Sequence, residues 1–368
     1  EPNTTVTIVP TQDLIGHPAG VPFQVFLPEA GSTYSARADA QWESGHPSGT
    51  TIESDLPVAV TIHDDSCTGG PFGPCTDLMG DQMVPTNLLG MEYIAVHGYL
   101  NGDDRIYLAA TQDNTSIAIG GVNVGIINAG ETFEHVLTTE AAYFETNAPV
   151  AVWQMTGFGC ELGGAILPSI ACTGSSSVTF IRSTDEFIGI NLLVPSGGED
   201  DFTFNGDPNV IDASAFNPVP GTNDAWMYAQ LDLGNQVPIL APTRIENSAN
   251  VFHLGIIHGG ASSGTRFGYF SDYGALKYQA VNQTVNACLG EPLALQVNPI
   301  ENGLYQWIGP NNFSGQGLEV NLGNANLTMS GDYVIQGYTG ECAIQDDTIS
   351  VQVHAPLGPP TIPDDWSA

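Results

Sequence analysis

The chain has 368 residues, of which 40 are Asp or Glu and six are Lys or Arg, for a formal net charge of −34. That length exceeds one ordinary domain, so two or three are expected, and the charge excludes nucleic acid and anionic membrane surfaces, which proteins hold through Lys and Arg. With 43 Gly and 25 Pro and no long run rich in Ala, Leu, Glu and Lys, the composition points to short strands and turns. The acidity has two compatible readings: solubility in salty water, where ions screen self-repulsion, and divalent-cation binding by converging oxygens.

From the N-terminus, the first apolar strand segment is 22–28 (PFQVFLP). Next comes 52–60 (IESDLPVAV): an acid, a polar turn, a proline and an apolar strand running on to Cys67. The arrangement returns at 144–152 (FETNAPVAV), running on to Cys160, and more weakly at 245–255 (IENSANVFHLG). Between the copies lie 106–121 (IYLAATQDNTSIAIGG) and 190–206 (INLLVPSGGEDDFTFNG). Each is an apolar strand, a polar turn and a second strand ending on Gly, the pattern of a β-hairpin. Residues 1–278 therefore read as a repeat-built β-domain of three units of roughly ninety residues. Such units bury together faces that one cannot bury alone, either as a propeller-like ring or as fused β-sandwiches.

Residues 281–355 are organised differently. Cys288 leads into an alternating strand at 293–297 (LALQV), then 305–313 (YQWIGPNNF), a run to Cys342, and a last strand at 348–353 (TISVQV). Short alternating strands with Trp307 between two cysteines predict an Ig-like β-sandwich around that indole. The match to antibody domains is partial, because Tyr333 stands well before Cys342 instead of two residues before it. Residues 356–368 (PLGPPTIPDDWSA) have the composition of a Pro-rich linker or tail.

The six cysteines, Cys67, Cys75, Cys160, Cys172, Cys288 and Cys342, include no CxxC pair, which argues against zinc ribbons and thioredoxin-like sites. An even count in a turn-rich chain suits an oxidising, extracellular setting. Sequential pairing (67 with 75, 160 with 172, 288 with 342) is the simplest of several arrangements. No apolar run is long enough for a membrane helix and no signal peptide is visible, so the chain is expected to begin at a mature N-terminus.

In order along the chain, ESDLPVAV (53–60), the cysteine after it, DLMGDQMVP (77–85), MEYIAVHG (91–98), AATQDNTSIAIGG (109–121) and FETNAPVAVWQM (144–155) resemble the N-terminal domain of IgGFc-binding-protein-like sequences. The resemblance spans roughly residues 20–260. It implies an extracellular, non-enzymatic class of domain and transfers neither the Fc ligand nor any binding residue. The C-terminal pattern, most particularly WIGPNNF from Trp307 to Phe313, resembles the Ig-like or PKD-like repeats of Bacteroidota surface proteins. That second resemblance implies display at the cell surface.

Candidate chemistry is sparse. His63-Asp64-Asp65, and His253 and His258 in the third repeat, would need further ligands from elsewhere to act as metal or acid–base sites, and read more simply as strand-end residues. The acidic loops holding Asp103 and Asp104, and Glu199, Asp200 and Asp201, are candidate Ca²⁺ ligands, although neither fits the EF-hand spacing. No GxSxG, P-loop, GxGxxG or HExxH is present. The sequence thus reads as an all-β, secreted, cell-surface adhesion or binding protein without catalytic activity, whose partner is a protein, a glycan or another copy of itself. A structural subunit of a surface layer or filament is the first alternative. A carbohydrate-active enzyme, which needs only two carboxylates, is the second.

Overall fold

The computed structural model describes residues 1–40, 45–68, 76–100, 102–273, 284–298, 303–339 and 342–355, leaving aside the side chains of 65, 66, 68, 303, 337–339 and 342–346. Two compact units are present, Glu1–Tyr273 and Gly274–Ala368. Among the described residues, regular structure in both is strand, with only short 3-10 turns between strands.

The first unit contains two sandwiches built on one plan. In the first, a sheet in the order Thr132–Leu137, Asp104–Ala110, Val150–Gly159, Glu161–Ile166 shares a core with a second in the order Val122–Ile127, Thr115–Ile119, Ala141–Thr146, Glu92–Val96. In the second, Trp226–Asp232, Phe187–Pro195, His253–Gly260 and Gly264–Phe270 repeat the order of the first sheet, with Asn217–Pro218 added at one edge. Its companion sheet is Ser177–Ile181, Pro242–Asn247, Phe202–Phe204. The fused-sandwich alternative is therefore the one adopted, not a ring. The expectation of three equal units is corrected to two sandwiches, preceded by a small sheet (Phe23–Leu27, Thr4–Val9, Thr51–Ser54) and a hairpin (Thr61–Thr68 with Thr76–Gln82).

The sequence repeats mark where the chain changes sheets. In 144–152 the first strand lies in one sheet of its sandwich and the second in the other, and 245–255 does the same. Phe144 and Ile245, the equivalent apolar residues before the two crossings, are both fully buried. The segments 106–121 and 190–206 are not hairpins. Asp104–Ala110 pairs with Thr132–Leu137 and Val150–Gly159, while Thr115–Ile119 pairs in the opposite sheet. A hairpin and such an arch share one hydrophobic pattern, because both join two strands with apolar inner faces. Here side chains hold the arch: Thr111 Oγ1 donates to Pro149 O (2.5 Å), and Asp113 Oδ1 accepts from Ala129 N (3.1 Å).

Arg182 closes the base of the second sandwich. Its guanidinium is buried and donates to the carbonyls of Gly234, Val237, Asp185 and Glu186 at 2.5–3.3 Å. Arg182→Ala would leave the buried Val237 carbonyl and three part-buried ones without this donor, and an unsatisfied buried group costs about 1–3 kcal/mol. Denaturant melts should show a loss of about 3 kcal/mol or more, and a loss under about 1 kcal/mol would mean that water replaces the guanidinium.

In the second unit a sheet of five strands (Thr284–Cys288, Cys342–His354, Gly331–Thr339, Gly303–Gly309, Phe313–Gln316) and a pair (Pro292–Gln296, Glu319–Asn324) enclose a core centred on Trp307, which is fully buried. Trp307 Nε1 donates to Gly317 O (2.8 Å), so the indole's one polar group is satisfied.

Two of the sequential cysteine pairings are incompatible with strand register. Cys288 lies opposite His354, at the far end of a 13-residue strand from Cys342. Those ends are about 40 Å apart at the rise of an extended strand, and a disulfide spans less than about 7 Å between Cα atoms. Cys160 and Cys172 are both disulfide-bonded, but not to each other. Thr265 Oγ1 donates to Glu161 O (2.9 Å), whereas Thr173 bridges Tyr273, so about 20 Å of extended chain separates the two cysteines. Proximity in sequence misleads here because strands carry neighbouring residues apart. The third expected pairing, Cys67 with Cys75, falls on a residue, Cys75, that lies outside the described ones.

Candidate functional site in a polar cleft between two sandwiches

Where the two sandwiches of the first unit meet, an apolar seam of Ile94, Val96, Ala141, Tyr143, Leu193 and Tyr228 joins them. Beside it opens a cleft of about 330 Å³. Val96, His97 and Glu140 line it from the first sandwich, and Asn217, Tyr228 and Gln230 from the second. His97 follows the strand Glu92–Val96 and Glu140 immediately precedes Ala141–Thr146, so sheet pairing brings them together: His97 N donates to Glu140 O (2.9 Å). Tyr228 and Gln230 alternate along Trp226–Asp232 and project from the same side of it.

Hydrogen bonds tie the walls across the cleft. Tyr228 Oη donates to Glu140 Oε2 (3.0 Å), and Gln230 Nε2 donates to His97 O (2.7 Å) and Asn191 Oδ1 (3.3 Å). Burial, with the Glu140 carboxylate adding to it, pushes the Tyr228 phenol up to about 12, so it remains a donor at neutral pH. Of the His97 ring nitrogens, Nδ1 faces Gly98 O (2.7 Å) and Nε2 faces Asp103 Oδ1 (3.5 Å).

Behind the cleft lies a buried carboxylate. Along Asp104–Ala110 every second residue is buried, so the period of two that sends Ile106 and Leu108 into the core sends Asp104 there as well. Asp104 Oδ2 accepts from Gly98 N (2.9 Å) and Gln154 Nε2 (2.7 Å), and Gln154 Nε2 also donates to Val96 O (2.8 Å). Burial raises the Asp104 pKa, against the pull of His97 and of these hydrogen bonds. A carboxyl whose pKa is higher folded than unfolded stabilises the fold at low pH, and that contribution is lost as pH rises through its folded value. Asp104→Asn mimics the neutral acid. It should match or exceed the wild-type melting temperature once the wild-type acid has ionised, and lose the decline that accompanies that ionisation. A variant melting far below wild type at every pH would mean that the carboxylate itself is required.

The residues singled out from sequence are scattered over the fold. Asp103 is half-buried beside His97 while Asp104 is buried, and Glu199, Asp200 and Asp201 form a 3-10 turn at the arch of the second sandwich. The Ca²⁺ expectation is thus divided between two places, and among the described residues no three His, Cys, Asp or Glu side chains converge. His63 is exposed, Asp64 pairs with His46 (3.1 Å), and the Asp65 side chain lies outside the described residues. His253 is buried with Nδ1 on Ser271 Oγ (3.0 Å), and His258 Nε2 contacts Thr184 Oγ1 (3.2 Å). Glu140, Asn217, Tyr228 and Gln230 carry no local motif, since Gln230 and the His97 carbonyl that it grips are 133 residues apart. Of the cleft residues, Val96 and His97 lie within a sequence motif, MEYIAVHG.

The architecture of the first unit defines an all-β protein of paired-sheet sandwiches with a polar cleft between them. Residues 1–253 match the family model described as IgGFc binding protein, and the chain belongs to that family. No curated protein matches the chain. Among solved structures it is similar to the amphioxus IgVJ-C2 molecule, at 14% identity over 49% of this chain and 97% of that one, TM-score 0.18. It is also similar to the N-terminal four Ig domains of Dscam1 isoform 8.4, at 9% identity over 95% and 91%, TM-score 0.23. Scores this low carry nothing about the arrangement or partners of this chain. Among the described residues no helix is long and apolar enough to cross a membrane.

Proposed function

We propose that the chain is an extracellular binding or adhesion protein that recognises a protein partner through its first unit and does not act as a catalyst. The match of residues 1–253 to a family described by the binding of IgG Fc carries this reading, since it falls wholly on the two-sandwich unit and its cleft. Display at a cell surface and disulfides formed in an oxidising compartment belong to the same reading. The cleft is suited to holding a ligand: its walls are fixed to each other by hydrogen bonds and by a packed seam, so little has to be ordered on binding. The test is to immobilise the whole chain and measure association with the Fc fragment of IgG and with a panel of extracellular proteins. Saturable binding to at least one supports the reading, whereas turnover of a glycan panel without protein binding would replace it with the enzyme alternative.

One observation favours a second reading, a self-assembling structural subunit. Among the described residues, the strand Val122–Ile127 is an unpaired sheet edge with Val122, Val124 and Ile126 exposed and no charged residue. Edges of that kind pair readily with other strands. Filaments of the purified chain in electron micrographs at native salt would favour it.

A further inference from the structure

We propose that the cleft of the first unit is a receptor for a guanidinium or ammonium group, and that its occupant is an Arg or Lys side chain of a basic partner protein. The inference rests on the binding reading above and names the chemistry that the cleft selects.

The argument starts from which polar atoms are already used. The Tyr228 hydroxyl hydrogen goes to Glu140 Oε2 and the Gln230 amide hydrogens go to His97 O and Asn191 Oδ1. Both ring nitrogens of His97 face oxygens of its own chain, Gly98 O and Asp103 Oδ1. The donors of these three residues are therefore engaged within the walls. What the same groups still offer is acceptor capacity: the second Glu140 oxygen and the Gln230 carbonyl. A site rich in acceptors that includes one carboxylate selects a ligand rich in donors and positively charged. A cleft of about 330 Å³ takes one side-chain head and not a folded segment.

The rest of the molecule points the same way. Arg105, Arg244 and Arg266 are paired with Glu134, Glu246 and Glu186, and Arg182 is buried on backbone carbonyls. Four of the six basic residues are thus engaged by groups of the chain itself while the formal charge is −34. A field of one sign steers a cationic partner toward the surface, and the cleft offers that partner a specific seat.

The test titrates isotope-labelled whole chain with arginine amide, with a short Arg-containing peptide and with a neutral hexose, following backbone amide shifts. Arginine amide and the peptide should perturb His97, Asn217 and Gln230, with the peptide tighter, and binding should weaken with added NaCl. Glu140→Gln, with its melting temperature checked, should weaken both at least about tenfold, since a hydrogen bond to a charged group is lost. If free arginine amide binds as tightly as the peptide, a small-molecule cation is the occupant and the protein side chain is overturned. Hexose binding without cation binding, or cation shifts confined to other surfaces, would overturn the receptor itself. Should Glu140→Gln not fold, Tyr228→Phe, which frees Glu140 Oε2, should bind the peptide as tightly or more tightly; loss of binding would count against the proposal. Partner-protein binding that persists unchanged in Glu140→Gln would sink this inference and leave the binding reading standing.

Discussion

Trp307→Ala is expected to cost the second unit about 3–5 kcal/mol, the usual range for truncating a large aromatic in a packed core. Trp307 has no exposed surface and sits among Leu293, Leu295, Tyr333, Ile335 and Val351, drawn from both sheets, so its removal leaves a cavity that rigid strands cannot close. It would also strip Gly317 O of its indole donor. The unit has no Cys288–Cys342 bridge to limit the damage, since strand register keeps those residues far apart. In a thermal melt of the whole chain, the transition reported by Tyr333 and its neighbours should fall well below wild type or vanish. A shift worth less than about 1 kcal/mol would mean that the core is looser than its burial indicates.

Acidification should destabilise the first unit through His253. The ring is wholly buried, with Nδ1 on Ser271 Oγ and Trp226 close by (centroids 5.7 Å apart), and burial pushes its pKa down from 6.5 to about 4. A group whose folded pKa is depressed in this way must be neutral to stay inside. The stability tied to its neutrality is complete above pH 6.5 and is lost as pH falls toward 4. At 1.36 kcal/mol per pKa unit the loss amounts to about 3 kcal/mol. His253→Asn removes the titration and should flatten the stability curve of the first unit across that window, even if it starts lower. Carboxylates with depressed pKa values, such as Asp207 and Asp212, lose their contributions at more acidic pH and do so equally in both proteins. Parallel curves for variant and wild type between pH 7 and 4.5 would show that His253 is not the group that titrates.

The all-β class was readable because alternation is local: Asp104–Ala110 and Pro292–Gln296 announce themselves within a few residues. The duplication was readable as well, because FETNAPVAV and IENSANVFHLG occupy equivalent sheet crossings. Partnership between strands was not. A hairpin and an arch have one hydrophobic pattern, so 106–121 gave the strands correctly and their pairing wrongly. The cysteine pairing failed for a related reason, since an extended strand moves residues apart about twice as fast as a helix. The cleft was almost invisible. Glu140, Asn217, Tyr228 and Gln230 are unremarkable polar residues until two sandwiches dock. Asp104 was noticed as half of an acidic pair, and the alternation that buries it, visible in DRIYLAA, was the signal for its different role.

The central claim is that the first unit recognises a protein through the cleft between its sandwiches. Hydrogen–deuterium exchange of the whole chain, with and without saturating Fc fragment or whichever panel protein binds, tests it most directly. The account predicts added protection in the segments that line the cleft, 92–98, 139–143 and 215–230, with the second unit unchanged. Protection confined to residues 284–355, or to the edge strand Val122–Ile127 alone, would contradict it.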